Sequence, residues 1–159
     1  MSYERAKAHL DKFGLGDRIR LFDASSATVA LAAAALGTEE ARIAKSLSFS
    51  VGDGAILVIA AGDAKIDNAK FKATFGTKAR MLDFDSVEPI IGHAVGGVCP
   101  FGVNDGVKVY LDRSLCRFDV VYPAAGTSHS AVELTIPELE RASLFDSWVD
   151  VTRGPDNDR

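Results

Sequence analysis

The sequence predicts a mixed α/β domain with a curved or barrel-like, mostly antiparallel sheet surrounded by helices. Segments with the two-residue period of strands alternate with segments that carry helix start and stop signals. No linker, repeat or low-complexity block divides the 159 residues, a length that can bury one core without disulfides or metal. We therefore expect a single domain over residues 1–152 and a frayed polar tail over residues 153–159.

The first part of the chain is predicted to form a helix, a short strand and a second helix. Apolar side chains recur at helical spacing in the first 13 residues. The segment Arg18–Phe22 is predicted to form a short strand. The alanine-rich segment that follows has a capping residue, Ser26 or Thr28, before it and Gly37 after it, which predicts a helix between them.

A β-hairpin is predicted over residues 44–61. Lys45, Leu47 and Phe49 fall on one face of its first strand, and three serines fall on the other. A Gly-Asp-Gly sequence suits the turn, and the second strand is apolar on both faces, which predicts a central position. A lysine at the start of an apolar row either lines a cavity or reaches water from the end of the strand. The alternation alone leaves both interpretations open.

The middle of the chain is predicted to hold two helices and a long loop. Asp67 or Asn68 can cap a helix that ends at Gly76, and a short helix follows over residues 86–91. The next 15 residues, 92–106, are rich in glycine and have little to fill a core.

The last third is predicted to hold three strands and a helix. The strands are VKVYLD, RFDVVYP and SAVELTI, and Thr135 and Glu138 form a capping box at the start of the helix.

Composition excludes several classes of function. A net charge of −4 argues against a general nucleic-acid binder, so we expect no DNA partner. No apolar run is long enough to span a membrane and no signal peptide is present, so we expect a cytoplasmic protein. Cys99 and Cys116 read as free thiols, and no spacing of Cys and His is a metal-ligand signature. The sequence contains one basic cluster, which consists of Lys65, Lys70, Lys72, Lys78 and Arg80. It is either a tRNA-binding patch or a solvated helix face.

No familiar catalytic motif is present in the sequence. The nucleophile elbow, the phosphate loop, the zinc-protease motif and the dinucleotide fingerprint are all missing. Three features remain: Lys45, the glycine-rich loop, and the small-residue turn AAGTSH at residues 124–129. Glycines in such loops allow backbone amides to hold a phosphate or an oxyanion, or they serve turn geometry alone.

Five sequence segments in order, AKSLSF, GDAKIDNAKF, GHAVGGVCPFG, AAGTSH and ELTIPEL, carry a resemblance over residues 23–144. They resemble the YbaK/EbsC-type aminoacyl-tRNA deacylases, which also occur as the editing domain of bacterial prolyl-tRNA synthetase. The resemblance implies a trans-editing hydrolase that cleaves the ester of mischarged tRNA without metal or cofactor. Its implied partners are the tRNA acceptor end and a synthetase. Cys99 departs from the family pattern, where proline or another small residue is more frequent.

The resemblance also implies roles for individual residues. Lys45, Gly96 and Gly97 would be catalytic, through electrostatic binding and backbone amides. His129 is a weaker candidate for a general base, because the family does not depend on a histidine there. The residues expected to bind substrate are Ser46, Pro100, Phe101, Gly102, Gly126, Thr127 and His129, and those expected to bind tRNA are Lys65, Lys70 and Lys72. The alternatives are a non-catalytic module that binds a small ligand or a tRNA end, and a regulatory partner of a synthetase.

Overall fold

The structure, a computed structural model, describes residues 2–154. Within this range the α-helices are α1 (Ser2–Asp11), α2 (Val29–Leu36), α3 (Asn68–Phe75), α4 (Phe84–Ile91) and α5 (Ile136–Ser143). Short 3₁₀ helices cover Gly16–Arg18, Glu40–Arg42 and Arg113–Arg117. The strands are β1 (Ile19–Leu21), β2 (Ile43–Val51), β3 (Gly54–Ala61), β4 (Lys65–Ile66), β5 (Lys108–Asp112), β6 (Val120–Pro123), β7 (Ser130–Val132), β8 (Leu134–Thr135), β9 (Ser147–Val149) and β10 (Thr152–Arg153).

Six of these strands form the main sheet, in the order β8-β6-β2-β3-β5-β9. Two pairs, β1 with β7 and β10 with β4, form small sheets beside it. Across the described residues, four of the seven strand pairings are antiparallel and three, all in the main sheet, are parallel. The predicted mixed α/β fold with a curved sheet and surrounding helices is confirmed.

Helix ends follow the local signals in the sequence. The Thr28 hydroxyl accepts a hydrogen bond from the Leu31 N–H at the start of α2, and Gly37 ends the helix with a φ of 70°. The Thr135 and Glu138 side chains form the predicted capping box at the start of α5. Each of these contacts joins residues at most four apart in sequence, so the sequence alone is enough to predict them.

The hairpin of β2 and β3 forms the centre of the main sheet. Val51 pairs with Gly54 around a two-residue turn in which Gly52 has a φ of 59°. From Ala55 to Ala61, β3 is buried, which confirms its predicted central position.

The serine face of β2 points into the protein and not to water. Ser46 and Ser48 lie opposite Ile59 and Leu57 of β3, and Ser48 is buried. The other face of β2 carries Phe49, which stacks on Phe71 of α3 in a second cluster. One face of the strand therefore packs on α3, and the serine face lies on the side of the main core, where Leu57 and Ile59 of β3 are buried.

The C-terminal region is partly structured where a frayed tail is predicted. Arg153 pairs with Lys65, and Thr152 pairs with Ile66, in the small sheet of β10 and β4. The structure therefore includes Arg153 in a strand, and residues 155–159 of the predicted tail lie outside the described residues.

No helix among residues 2–154 is long and apolar enough to cross a membrane.

Candidate functional site

A cavity of about 510 Å³ opens beside the middle of β2. Four parts of the chain form its wall: the start of α2, β2 itself, the segment from before α4 to the glycine-rich loop, and the turn between β6 and β7. Lys45 is the one charged residue among those of the described chain that line it. The lining residues include Thr28, Val29, Ala32, Ile43, Ala44, Lys45, Ser46, Leu47, Ser48, Met81, Leu82, Phe84, Val87, Gly96, Val98, Ala124, Ser130 and Ala131.

Lys45 is half-buried, and its ammonium group contacts main-chain carbonyls. Its Nζ donates to the Gly62 oxygen at 3.2 Å and to the Ala64 oxygen at 2.5 Å. Burial lowers the pKa of Lys45, and the nearby negative charge of Asp63 opposes that shift. An ammonium has three N–H groups, so two carbonyl contacts leave one for a ligand.

Asp63 is itself held by Arg117. The Arg117 guanidinium donates to both carboxylate oxygens, at 2.5 and 3.1 Å. This pairing is the main reason that the pKa of Asp63 is lowered. The carboxylate therefore stays ionised near Lys45 at neutral pH and favours the charged ammonium.

The glycine-rich loop and the turn between β6 and β7 touch each other at Gly97 and Gly126. The Gly126 N–H donates to the Gly97 oxygen at 3.0 Å. A Cβ on Gly97 would lie 2.4 Å from the Thr127 nitrogen, so only glycine fits there. Gly96, in the same loop, lines the cavity, and Gly97 does not. The structure thus brings two of the predicted segments together, with Gly97 as the point of contact.

Pro100, Phe101 and Gly102 lie behind the cavity wall and do not line it. Phe101 is fully buried in the main core. A Cβ on Gly102 would lie 2.9 Å from the Arg5 oxygen of α1. This part of the loop therefore packs on the N-terminal helix.

Sequence reasoning missed the role of His93, a fully buried residue of the glycine-rich loop. The His93 Nε2 donates to the Phe101 oxygen at 2.6 Å, and the Ser2 hydroxyl donates to Nδ1 at 2.7 Å. Burial is the largest cause of its lowered pKa, so the ring is neutral at pH 7. Cys99 lies 3.6 Å from the same ring. Burial raises the pKa of its thiol to about 12, which makes it a poor nucleophile.

Thr127 and His129 lie on the turn but are not part of the cavity wall. The Ser130 hydroxyl donates to the Thr127 oxygen at 2.9 Å. His129 is exposed, and its Nδ1 lies 3.0 Å from the Ser128 hydroxyl. The turn contributes Ala124 to the wall, and β7 contributes Ser130 and Ala131. The period of two in β7 could have suggested Ser130, but its partner Ser26 is 104 residues away.

None of the predicted tRNA-binding lysines lines the cavity. Lys70 donates to Asp150 at 3.1 Å and to the Thr152 oxygen at 2.9 Å. Lys65 is an exposed residue of β4, and Lys72 is exposed on α3. The cavity mouth instead carries exposed apolar residues, with Met81 56% and Phe84 73% exposed.

The model of the aminoacyl-tRNA editing domain family matches residues 23–142, most of the chain. The chain belongs to this family. The match includes every segment of the cavity wall, from the start of α2 to β7. Among residues 2–154, no group of three or more His, Cys, Asp or Glu residues is arranged to hold a metal ion.

Three relatives illustrate the family. The uncharacterized protein YwhH of Bacillus subtilis is 49% identical over 154 residues, which cover 96% of this chain and 98% of YwhH. A proline–tRNA ligase of Halalkalibacterium halodurans is 29% identical over 125 residues, and the match spans only 21% of that ligase. A solved structure of a candidate trans-editing enzyme for prolyl-tRNA synthetase has a TM-score of 0.85 and 31% identity, covering 96% of this chain and 98% of that one.

Proposed function

We propose that the protein is a trans-editing deacylase, which hydrolyses the ester bond of mischarged aminoacyl-tRNA. The observation that supports this proposal most is the cavity, whose wall is built from the family segments and holds Lys45 as its single charge among the described residues. Its volume of about 510 Å³ suits an aminoacyl group and part of the terminal nucleoside. The membership in the aminoacyl-tRNA editing domain family and the similarity to part of a proline–tRNA ligase also support a role in editing mischarged tRNA.

The proposed reaction is attack of water on the ester carbonyl. The water oxygen bonds to the carbonyl carbon, the bond to the ribose oxygen breaks, and that oxygen takes a proton, which gives free amino acid and uncharged tRNA. An aminoacyl ester is already activated, so positioning the water and stabilising the oxyanion supply most of the rate. The mechanism needs no metal or cofactor in this proposal.

The catalytic and binding roles fall to residues of the cavity wall. Lys45 directs its remaining N–H to the substrate, where it donates to a phosphate or a carbonyl oxygen. Gly96 offers main-chain groups from the loop, and Gly97 keeps that loop against the opposite turn. Pro100, Phe101 and Gly102 support the loop from behind, and Gly126 and Thr127 support the turn. A cytoplasmic location and a synthetase partner belong to the same proposal.

A panel of mischarged tRNAs tests the function. Purified protein is incubated with tRNAs that each carry a labelled, non-cognate amino acid, and release of the amino acid is followed against a buffer control. We expect fast deacylation of at least one member. If all members are stable but one still binds, the protein is a non-catalytic binding module. Activity that requires added synthetase would instead indicate a regulatory partner.

A further inference from the structure

The edge of β2 that faces away from β3 is open at one point. β6 pairs with this edge only at Ile43 and Ala44. Residues 80–82 pair with it only near Ser48 and Ser50. In the described chain, the edge between these two contacts has no strand partner, although sheets in folded proteins leave few such gaps inside the structure.

The gap exposes the main chain of Ser46. The Ser48 oxygen accepts from the Leu82 N–H at 3.1 Å, and the Ser50 N–H donates to the Arg80 oxygen at 2.8 Å. Even-numbered residues of β2 therefore direct their main-chain groups away from β3. Ser46, two residues before Ser48, directs its N–H and C=O to the open edge, where it lines the cavity.

The Ser46 side chain is a second sign of a missing partner. Its Oγ is buried and has no hydrogen-bond partner among residues 2–154. Ser143 Oγ shares this property within that range but does not line the cavity. Buried polar groups without a partner are rare and call for an explanation, such as a ligand.

We propose that Ser46 binds the aminoacyl group of the substrate as if that group were one residue of an added strand. This inference rests on the proposed function. An aminoacyl ester carries an amino nitrogen, a Cα and a carbonyl in the same order as a residue of a polypeptide. It can therefore pair with Ser46 as a residue of an antiparallel strand would. The carbonyl oxygen of the ester accepts from the Ser46 N–H, and the α-ammonium donates to the Ser46 main-chain oxygen.

The size of the gap favours a single aminoacyl group over a peptide. Ala44 pairs with β6, and the Ser48 oxygen already accepts from Leu82, so Ser46 is the one outward-facing residue between them whose N–H and C=O both lack a partner in the described chain. The pairing uses no side-chain atom of the bound amino acid. Ser46 would thus recognise any aminoacyl ester, and the remaining wall would select the side chain. The hydrogen bond from the Ser46 N–H also becomes stronger as the carbonyl oxygen of the ester gains negative charge during attack by water.

The test replaces the Ser46 N–H by an oxygen. Translation in vitro with the α-hydroxy analogue of serine at position 46 changes the amide to an ester and keeps the side chain. We expect kcat/KM for the best substrate of the panel to fall by about a hundredfold, the usual effect of losing one oxyanion donor. The melting temperature should change little, because no group among residues 2–154 accepts this N–H.

The matched control is the same replacement at Ser50. Its N–H donates to Arg80, and it does not line the cavity. Here we expect the opposite result, a lower melting temperature and an unchanged kcat/KM. Both replacements weaken the carbonyl acceptor of the preceding residue equally, so this side effect cancels between them.

Binding of a stable analogue separates this inference from the proposed function. The probe is adenosine with an amide-linked aminoacyl group at its 3′ position, measured by calorimetry. Weaker binding to the Ser46 variant than to the Ser50 variant supports the pairing, as does weaker binding of the N-acetylated probe to the unmodified protein. Equal binding of the probe to both variants overturns the pairing even if the protein deacylates tRNA. A failed hydrolysis panel overturns the function alone.

Discussion

Lys45 is half-buried and donates to two main-chain carbonyls, those of Gly62 and Ala64, while the charge of Asp63 opposes the lowering of its pKa by burial. Both carbonyls lie between the end of β3 and the start of β4, so the lysine also links β2 to this connecting segment. The same side chain therefore has a structural contact and a free donor for substrate.

Replacing Lys45 with Ala should lower the single-turnover rate of deacylation by about a hundredfold or more, as expected for a lost electrostatic contact. Stability should change by no more than about 1–2 kcal/mol, because the lost hydrogen bonds are offset by removal of a buried charge. Lys12→Ala, at an exposed position just after α1, is the control. A variant that melts early but still hydrolyses substrate would show that Lys45 is structural.

The thiols and metal ions should not take part in the reaction. Burial holds the pKa of the Cys99 thiol at about 12, so no thiolate is available at neutral pH. The double variant Cys99→Ala, Cys116→Ala should keep its deacylation rate, in buffer and in chelator. A rate loss of a hundredfold in either test, about 2.7 kcal/mol in the barrier, would contradict the proposed mechanism.

His93 should make the protein sensitive to acid. Because burial lowers its folded pKa below the unfolded value of about 6.5, the unfolded chain binds a proton more readily. Stability should therefore be full above pH 6.5 and decrease as the pH falls from there towards the folded pKa. Melts between pH 7.5 and 5 should show a shallower decrease in His93→Gln, whereas His129→Gln, at an exposed site, should match the unmodified protein.

At the scale of elements, the loop of residues 92–106 and the turn of residues 124–129 depend on each other. Their contact joins Gly97 to Gly126 through one main-chain hydrogen bond. Gly126, with a φ of 90°, also has the Ser2 oxygen 2.5 Å from the place where a Cβ would be. Helix α1 therefore supports the turn from outside, and neither glycine can take a side chain without a shift of the backbone.

Gly97→Ala tests this contact. Its Cβ would meet the backbone of Thr127, so we expect a loss of about 1–3 kcal/mol in stability, as for other overpacked sites, together with a lower deacylation rate. Gly54→Ala is the matched control, because nothing lies within 4 Å of its added Cβ. Urea unfolding of both variants measures the difference. Equal stabilities would mean that the loop and the turn can separate without cost.

The sequence predicts those elements whose signals are local. The caps at Thr28, Gly37 and Thr135 and the hairpin turn at Gly52 depend on residues within a few positions of one another. Strands of two or three residues, such as β4, β9 and β10, exist only through distant pairings and carry no period long enough to detect.

The candidate site was predictable in part for the same reason. Lys45, Ser46 and Gly96 line the cavity, and their catalytic and binding roles stay predictions. The alternation of β2 does not reveal that its serine face lies on the side of the main core, beside Leu57 and Ile59 of β3. Nor does the loop motif reveal that Phe101 packs inward, since this depends on contact with α1. Position along the chain gives the order of these residues, and only the tertiary contacts decide which of them face the cavity.

For the molecule as a whole, the net charge of −4 limits how tRNA can be held. Few phosphate contacts are available, so affinity should be modest and its salt dependence shallow. Within the basic cluster, Lys70 is already bonded to Asp150, whereas Lys72 and Lys78 are exposed. These two are the better test of a tRNA-binding patch.

The double reversal Lys72→Glu, Lys78→Glu should raise the KM for mischarged tRNA about tenfold, since phosphate contacts dominate such affinities. Hydrolysis of a short aminoacyl-adenosine should barely change, because it has no acceptor stem. The control is Lys12→Glu, Lys108→Glu, which alters the net charge equally at exposed positions elsewhere. If KM for mischarged tRNA changes equally in the two double variants, Lys72 and Lys78 belong to a solvated surface and not to a tRNA-binding patch.

The wall of the cavity comes from residues as far apart as Ser26 and Ala131, and this separation has a consequence for folding. The hairpin of β2 and β3 joins neighbours in sequence and can form within microseconds, whereas the parallel pairing of β2 with β6 must first close a loop of nearly 80 residues. We therefore expect the cavity to be completed late in folding. A newly made chain cannot bind its ligand until the sheet has closed, and ligand bound afterwards stabilises the whole fold against unfolding rather than any one segment.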